Sequence, residues 1–349
     1  MATGITDVRT GGPTRRRCVL AVERENWPLA QPFATSGRIL SSTEVLVATI
    51  SEGPIEGRGE ATGVYYFEDA FRMMAQLQGV EGQIEDCIDR GKLRELLPPG
   101  GARNAVDCAL WELDARRQGV PVWSMMGMEP PRPITTFVTI GAGAPEEMAR
   151  RARSEQPFKS ATSLKLKLTG ELDLDVRRVR AVRTARPDVT IAVDANQGFQ
   201  APQLEALTRM LADLGVAFLE QPIARGEEAA LEAFSSPVPI LADESVQSSA
   251  DIPALVGRFD GINIKLDKCG GLTEALRMVI EARRFGLQLM VGNTIGTSLA
   301  MAPAFLLGQL CDFADLDGPL LLESDRLPGA TYEKGTIWIS DEVWGGATG

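Results

Sequence analysis

The sequence predicts an α/β protein, a parallel (β/α) barrel preceded by a smaller α+β domain. Three observations carry that prediction. The chain has 349 residues, more than one ordinary core accommodates. After Pro133, eight short strand-like runs alternate with stretches of helical spacing. Before Pro133, strands come first and helices second, the order of an α+β unit.

Residues 1–16, rich in Gly, Thr and Arg, read as a flexible tail. From Cys18 to about Glu60, CVLAVE and TEVLVATI predict strands with Gly- and Pro-containing turns between them. Residues 68–97 and 101–118 then predict helices. In the second, Ala105, Cys108, Ala109, Leu110 and Leu113 roughly follow helical spacing, and Gly119 with Pro121 marks the stop. The first domain is thereby drawn over 17–128. The runs TFVTI, SLKLKL, TIAVDAN, VAFLEQP, PILADES, GINIKLD, LQLMVGN and DFADLDG follow. Between them lie stretches such as LDLDVRRVRAVRTA, PQLEALTRMLADLG and LTEALRMVIEARRFG. Eight such units, over 129–320, predict a closed parallel barrel. In 321–349, TYEKGTIWIS reads as a hairpin or edge strand that returns to the first domain.

Composition narrows the chemistry. A net charge of −11 and a pI near 4.8 argue against a nucleic-acid surface. No apolar run approaches the ~20 residues of a membrane span. The run after Arg17 is broken at Glu23, too soon for a signal-peptide core. Five scattered cysteines, at 18, 87, 108, 269 and 311, read as reduced thiols of a cytoplasmic protein. The chain contains no histidine, which removes Ser-His-Asp chemistry, histidine zinc sites and imidazole catalysis. An enzyme of this composition works with carboxylates, lysines, hydroxyls, thiols or a cofactor.

In a parallel barrel the active site lies at the carboxyl ends of the strands. Three runs carry an acid there: Asp194 in AVDAN, Glu220 in FLEQP and Asp243 in LADES. Lys167 precedes Asp194, and Lys265 follows Asp243, at intervals of about one βα unit. Any one of these residues has an ordinary explanation, such as a helix cap or a solvated turn. Together they place three carboxylates in one mouth, an oxygen donor set that suits Mg²⁺. In SLKLKL, period-two geometry sends Lys165 and Lys167 to one face and Leu164, Leu166 and Leu168 to the other. Taken alone, that spacing favours a wet lysine face, since surface lysine is common and buried lysine rare. Beside a metal, lysines near other cations have lowered pKa values and serve as bases.

The chain resembles the enolase superfamily, in its muconate-lactonizing-enzyme-like branch. The resemblance spans about residues 18–340 and is strongest over KLKL, VDAN, LEQP, ADES, NIKLDKCGG and DLDGP. It implies a modified TIM-type (β/α) barrel under an α+β capping domain formed from the N-terminal region and the C-terminal tail. It also implies Mg²⁺ on Asp194, Glu220 and Asp243, with Mn²⁺ as a possible substitute, and Asn196 as a polar group near the metal. Lys167 and Lys265 are implied as opposed acid/base catalysts, and Lys165 as a cation beside the substrate carboxylate.

Within the superfamily the chain looks most like bacterial dipeptide epimerases of the L-Ala-D/L-Glu type, through LPPGGARNAVDCALWELDARRQG, LADLGVAFLEQP and NIKLDKCGGLTEAL. That similarity makes Asp315 and Asp317 of DLDGP candidates for holding a substrate ammonium group. Arg38 in PFATSGRILSSTE either meets a distal carboxylate or faces solvent, and Asn293 with Thr294 lines a wall after the seventh strand. The implied activity is 1,1-proton transfer on a dipeptide or amino-acid derivative bearing a free carboxylate and amine, in a homo-oligomer. The alternatives are a dehydratase of the cis-3-hydroxy-L-proline type using the same site, an N-acylamino-acid racemase, a cycloisomerase and a noncatalytic binding protein.

Overall fold

Residues 17–35, 38–64 and 69–347 are described in the computed structural model, so the tail expected over 1–16 lies outside the described residues. A three-stranded antiparallel sheet opens the fold, in the order β1 (Val19–Thr35), β2 (Arg38–Glu52) and β3 (Ile55–Thr62). The register between β1 and β2 shifts after Pro28 and resumes at Phe33, near the far end of the hairpin. Four helices follow: α1 (Ala70–Glu85), α2 (Arg90–Leu96), α3 (Gly101–Gln118) and the short α4 (Val122–Met125). The single helix expected over 68–97 is two. Cys87 adopts a left-handed conformation, φ 56°, and the Asp89 carboxylate accepts the Lys92 N–H at 2.9 Å to start α2.

The expectation of five reduced thiols is also corrected. Cys18 and Cys87 form a disulfide, with Cα atoms 5.4 Å apart, while Cys108, Cys269 and Cys311 are free. The pairing is tertiary in origin: the Cys18 N–H donates to Glu85 O at 2.9 Å, laying the start of β1 along the end of α1.

After β4 (Ile134–Thr135), eight parallel strands form one curled sheet in chain order. They are β5 (Val138–Ile140), β6 (Ser163–Lys167), β7 (Thr190–Asp194), β8 (Val216–Glu220), β9 (Ile240–Ala242), β10 (Gly261–Ile264), β11 (Gln288–Val291) and β12 (Phe313–Ala314). These are the eight runs read from the sequence. The two edge strands meet where the Phe137 N–H donates to Ala314 O at 2.9 Å. Outside lie helices α5 (Pro145–Ser154), α6 (Leu172–Ala185), α7 (Leu204–Asp213), α8 (Ile252–Leu255), α9 (Leu266–Cys269), α10 (Leu272–Arg284) and α11 (Ser298–Gly308).

The strand period of two sorts the side chains. Leu164, Leu166, Leu168, Ile191, Val193 and Leu219 are buried in the large core that the outer helices share. Facing inward, Phe137, Ala192, Phe218, Leu241 and Met290 form a separate apolar cluster, with the Phe137 and Phe218 rings edge-on at 5.4 Å. This cluster is the floor of the barrel, and the polar strand ends stand above it. The chain closes with the hairpin β13 (Thr331–Glu333) and β14 (Thr336–Trp338). β14 pairs with β4 beside the barrel, whereas Val343–Gly345 reaches the first domain: Trp344 Nε1–H donates to Arg58 O at 2.8 Å.

The first domain is clasped to the barrel over its mouth. Thr43 and Thr62 hydroxyls both donate to Ile295 O, at 2.9 and 3.2 Å. α3 approaches the α9–α10 junction closely because Gly270 and Gly271 stand there. Their φ values are 80° and 108°, and a Cβ on Gly271 would lie 2.5 Å from Asp107. Among the described residues, no helix is long and apolar enough to cross a membrane.

Candidate active site

Strand register brings the lysines and acids together. Lys167 on β6 stands opposite Asp194 on β7, and Asp194 stands opposite Glu220 on β8. Asp243 follows β9 directly, and Lys265 follows β10. Lys167 Nζ lies 2.5 Å from Asp194 Oδ2, and Lys265 Nζ lies 2.7 Å from Asp243 Oδ2. Lys165 is 2% exposed, its ammonium 3.2 Å from Glu220, 3.7 Å from Asp194 and paired with Asp315. The two lysines of SLKLKL therefore face inward.

Asp194, Glu220 and Asp243 are all buried, and one oxygen from each lies within 4.8 Å of the others. Three buried anions this close need cations. Burial pushes the Glu220 carboxyl upward, and neighbouring Asp194 adds to it. Burial acts the same way on Asp194, but Lys167 and Lys165 outweigh it and bring its pKa below the usual value. Asp243 is held lower still, because Lys265 and Lys268 overcome its burial. The same balance of burial against neighbouring carboxylates acts on the lysines. Burial disfavours the Lys265 ammonium, yet Asp243 and Glu220 more than offset it and raise the pKa. Lys165 is likewise raised, with Asp315 and Glu220 overcoming burial.

The donor set fits a hard divalent ion: three carboxylates, no sulfur, no imidazole. A further oxygen stands ready beside it. Asn196, two residues beyond Asp194, has φ 41°, donates its N–H to Asp194 Oδ1 at 2.9 Å and keeps its own Oδ1 buried without a protein partner.

Across the mouth, Asp315 and Asp317 are both 3% exposed and both line the cavity. Asp317 Oδ2 accepts the Thr139 N–H at 2.7 Å, and burial with Asp315 alongside pushes the Asp317 carboxyl up to about 6. Asn293 and Thr294 line the same cavity, but their polar groups are engaged. Asn293 Nδ2 donates to Asp315 O at 2.5 Å, and the Thr294 hydroxyl donates to buried Asp267. Arg38 opens β2, and its side chain lies outside the described residues. The cavity, of about 180 Å³, is roofed by Phe33, Leu40, Thr43 and Val64 of the first domain.

Residues 17–127 match the mandelate racemase / muconate lactonizing enzyme N-terminal domain, and residues 146–343 match the enolase C-terminal domain-like family. The chain belongs to this enzyme family. It is 43% identical to the L-Ala-D/L-Glu epimerase of Escherichia coli (strain K12), over 91% of this chain and 98% of that one. Its structure is similar to an enolase family member from Agrobacterium tumefaciens with homology to dipeptide epimerases, solved with sodium and L-Ala-L-Glu: TM-score 0.87, 38% identity, 94% of this chain and all of that one. It is similar, too, to the dipeptide epimerase of Methylococcus capsulatus complexed with Mg and L-Arg-D-Lys: TM-score 0.86, 29% identity, 93% and 97% coverage.

In this family member the site also holds residues to which the sequence reading gave no role. Lys268 is buried, 2.5 Å from Asp243 Oδ1 and 3.1 Å from Asn263 O. Asn263 Nδ2 donates to Glu220 Oε1 at 2.7 Å. Glu244 lines the cavity beside Asp243, and burial followed by Asp243 pushes its carboxyl up to about 7. The signal for Lys268 was present as the second lysine of KLDK: the single turn α9 carries it back beneath the strand end.

Proposed function

We propose that the chain is a Mg²⁺-dependent dipeptide epimerase that inverts an α-carbon by 1,1-proton transfer between Lys167 and Lys265. One observation carries this reading. Lys167 ends β6 and Lys265 follows β10, at opposite flanks of the three-carboxylate cluster contributed by the strands between them. A base on each flank is what inversion requires, since the proton leaves one face of the α-carbon and returns to the other. Kinship with the E. coli epimerase, and with an M. capsulatus epimerase complexed with Mg and a dipeptide, supports the activity and the metal.

Asp194, Glu220 and Asp243 would hold the ion, with Asn196 Oδ1 beside them; Mn²⁺ fits the same donors. Bound Mg²⁺ supplies positive charge for the substrate carboxylate and offsets the anions that keep Lys265 charged. Lysine on one flank takes the α-proton, and the electron pair moves into the carboxylate to give an enediolate. Lys165, held charged in the interior, stabilises that developing charge. The opposite lysine then delivers its proton to the other face. Asp315 and Asp317 receive the substrate ammonium group, two inward carboxylates suiting a cation. Asn293 and Thr294 shape the adjoining wall, and Arg38 is the candidate for a distal carboxylate.

Incubating the Mg²⁺-loaded protein with a dipeptide panel in deuterated water tests the reading. The expected product is the inverted epimer with one deuterium at the α-carbon and no other change in mass. Loss of water from a β-hydroxylated substrate, with no exchange in any dipeptide, would replace epimerisation by elimination.

A further inference from the structure

We propose that Tyr332, on the C-terminal hairpin, is a positioning residue that aims Asp315 and Asp317 at the substrate ammonium group. The inference rests on the ammonium role proposed above for those two aspartates.

The segment Asp315–Leu316–Asp317 has left strand β12, yet five of its six backbone polar groups are held by named partners. Asp315 N–H donates to Val291 O at 2.8 Å, and Asp315 O accepts Asn293 Nδ2. Leu316 N–H donates to the Thr136 hydroxyl at 2.9 Å, and Leu316 O accepts the Tyr332 hydroxyl at 2.6 Å. Asp317 O accepts the Leu320 N–H at 2.9 Å. The Leu316 side chain is fully buried in the outer core, so period-two geometry turns both neighbouring carboxylates toward the cavity. Two adjacent buried carboxylates repel each other, and only Asp315 has Lys165 as a counter-ion. A held central peptide is what keeps them convergent.

The small sheet of β13, β14 and β4 brings both clamping residues to that peptide. Tyr332 pairs with Ile337 on β14, Ile337 pairs with Ile134 on β4, and Thr136 follows two residues later. The Thr136 N–H also donates to Gly335 O at 3.0 Å, fixing the hairpin turn to the same point. Gly335 has φ 78°, and a Cβ there would lie 2.3 Å from the Thr162 hydroxyl, so the turn sits tightly on the barrel. Neither Tyr332 nor Thr136 lines the substrate cavity, so their influence runs through Leu316.

The test compares Tyr332→Phe, Thr136→Val and Asp317→Asn with the wild type, using Mg²⁺-loaded protein and L-Ala-L-Glu. Thermal unfolding of each variant checks that it is folded. Removing the tyrosine hydroxyl should raise KM about five- to tenfold, the size of one hydrogen bond, while kcat stays within about twofold. Thr136→Val should do the same. If Asp317→Asn raises KM but Tyr332→Phe and Thr136→Val do not, the clamp is wrong and the ammonium role stands. If Asp317→Asn leaves KM unchanged, the ammonium role fails, and the clamp with it. A fall in kcat that tracks lost folded protein, with KM unchanged, would reduce Tyr332 to a structural residue and overturn the inference.

Discussion

Lys268 Nζ lies 2.5 Å from Asp243 Oδ1, on a carboxylate whose other oxygen meets Lys265 at 2.7 Å. One buried anion thus joins two cations of different freedom, Lys268 buried and Lys265 partly exposed. Lys268 also donates to Asn263 O and Asp243 O, so it is fixed, whereas Lys265 faces the cavity through one ion pair. Removing one member of a buried pair leaves the other poorly compensated. Lys268→Met should therefore destabilise the metal-free protein by about 3 kcal/mol in urea unfolding. Added Mg²⁺ should recover more stability in the variant than in the wild type, because the acids have lost a cation. Equal urea midpoints without metal would contradict this account of Lys268.

The opposed bases make a prediction that separates inversion from exchange. Lys167→Ala and Lys265→Ala should each lose epimerisation by at least ~10³-fold. The remaining lysine can still take and return a proton on its own face. Each variant should then wash deuterium into one epimer only, and the two variants should choose opposite epimers. Proton NMR of the α-hydrogen in deuterated water reads this directly. Full epimerisation in either variant would remove that lysine from the chemistry.

Much of this site was legible because a strand's period is two and a barrel repeats its strands. Lys167, Asp194, Glu220, Asp243 and Lys265 fall at one depth for that reason, with Lys165 one step deeper opposite Ala192, and the eight strand runs set the depth. Lys268 was less legible because a one-turn helix, α9, reverses the direction a strand pattern assigns. The Cys18–Cys87 pairing was invisible for a different reason. Its partners lie 69 residues apart and meet only once β1 lies along α1.

That disulfide gives its own prediction. A cross-link closing a loop of this length removes about 4 kcal/mol of unfolded-chain entropy in the chain-entropy account, and the separation here is 69 residues. Reduction with dithiothreitol, or Cys87→Ser, should lower the thermal midpoint while leaving Mg²⁺ affinity unchanged, since neither cysteine touches the barrel mouth. Calorimetry with and without reductant measures the first effect, and metal titration the second. An unchanged midpoint would mean that the cross-link contributes nothing to stability.

Asp107 sets a pH dependence at the seam between the first domain and the barrel. It sits on α3, fully buried, with Oδ2 accepting the Thr273 N–H at 2.9 Å and Oδ1 lacking a partner. Burial pushes its carboxyl from the ordinary 3.8 up to about 6, against the opposing pull of Thr273 and Arg90. A folded pKa above the unfolded one means that the native state holds the proton more tightly. The contribution is complete below pH 3.8 and is lost as pH rises through about 6. Roughly 1.4 kcal/mol of it should disappear between pH 5 and pH 8. Asp107→Asn keeps an acceptor for Thr273 but cannot ionise. Its stability relative to the wild type should therefore improve by about that amount over the same interval, read from urea unfolding at the two pH values. A difference that stays constant with pH would show that Asp107 is ionised in the native protein throughout.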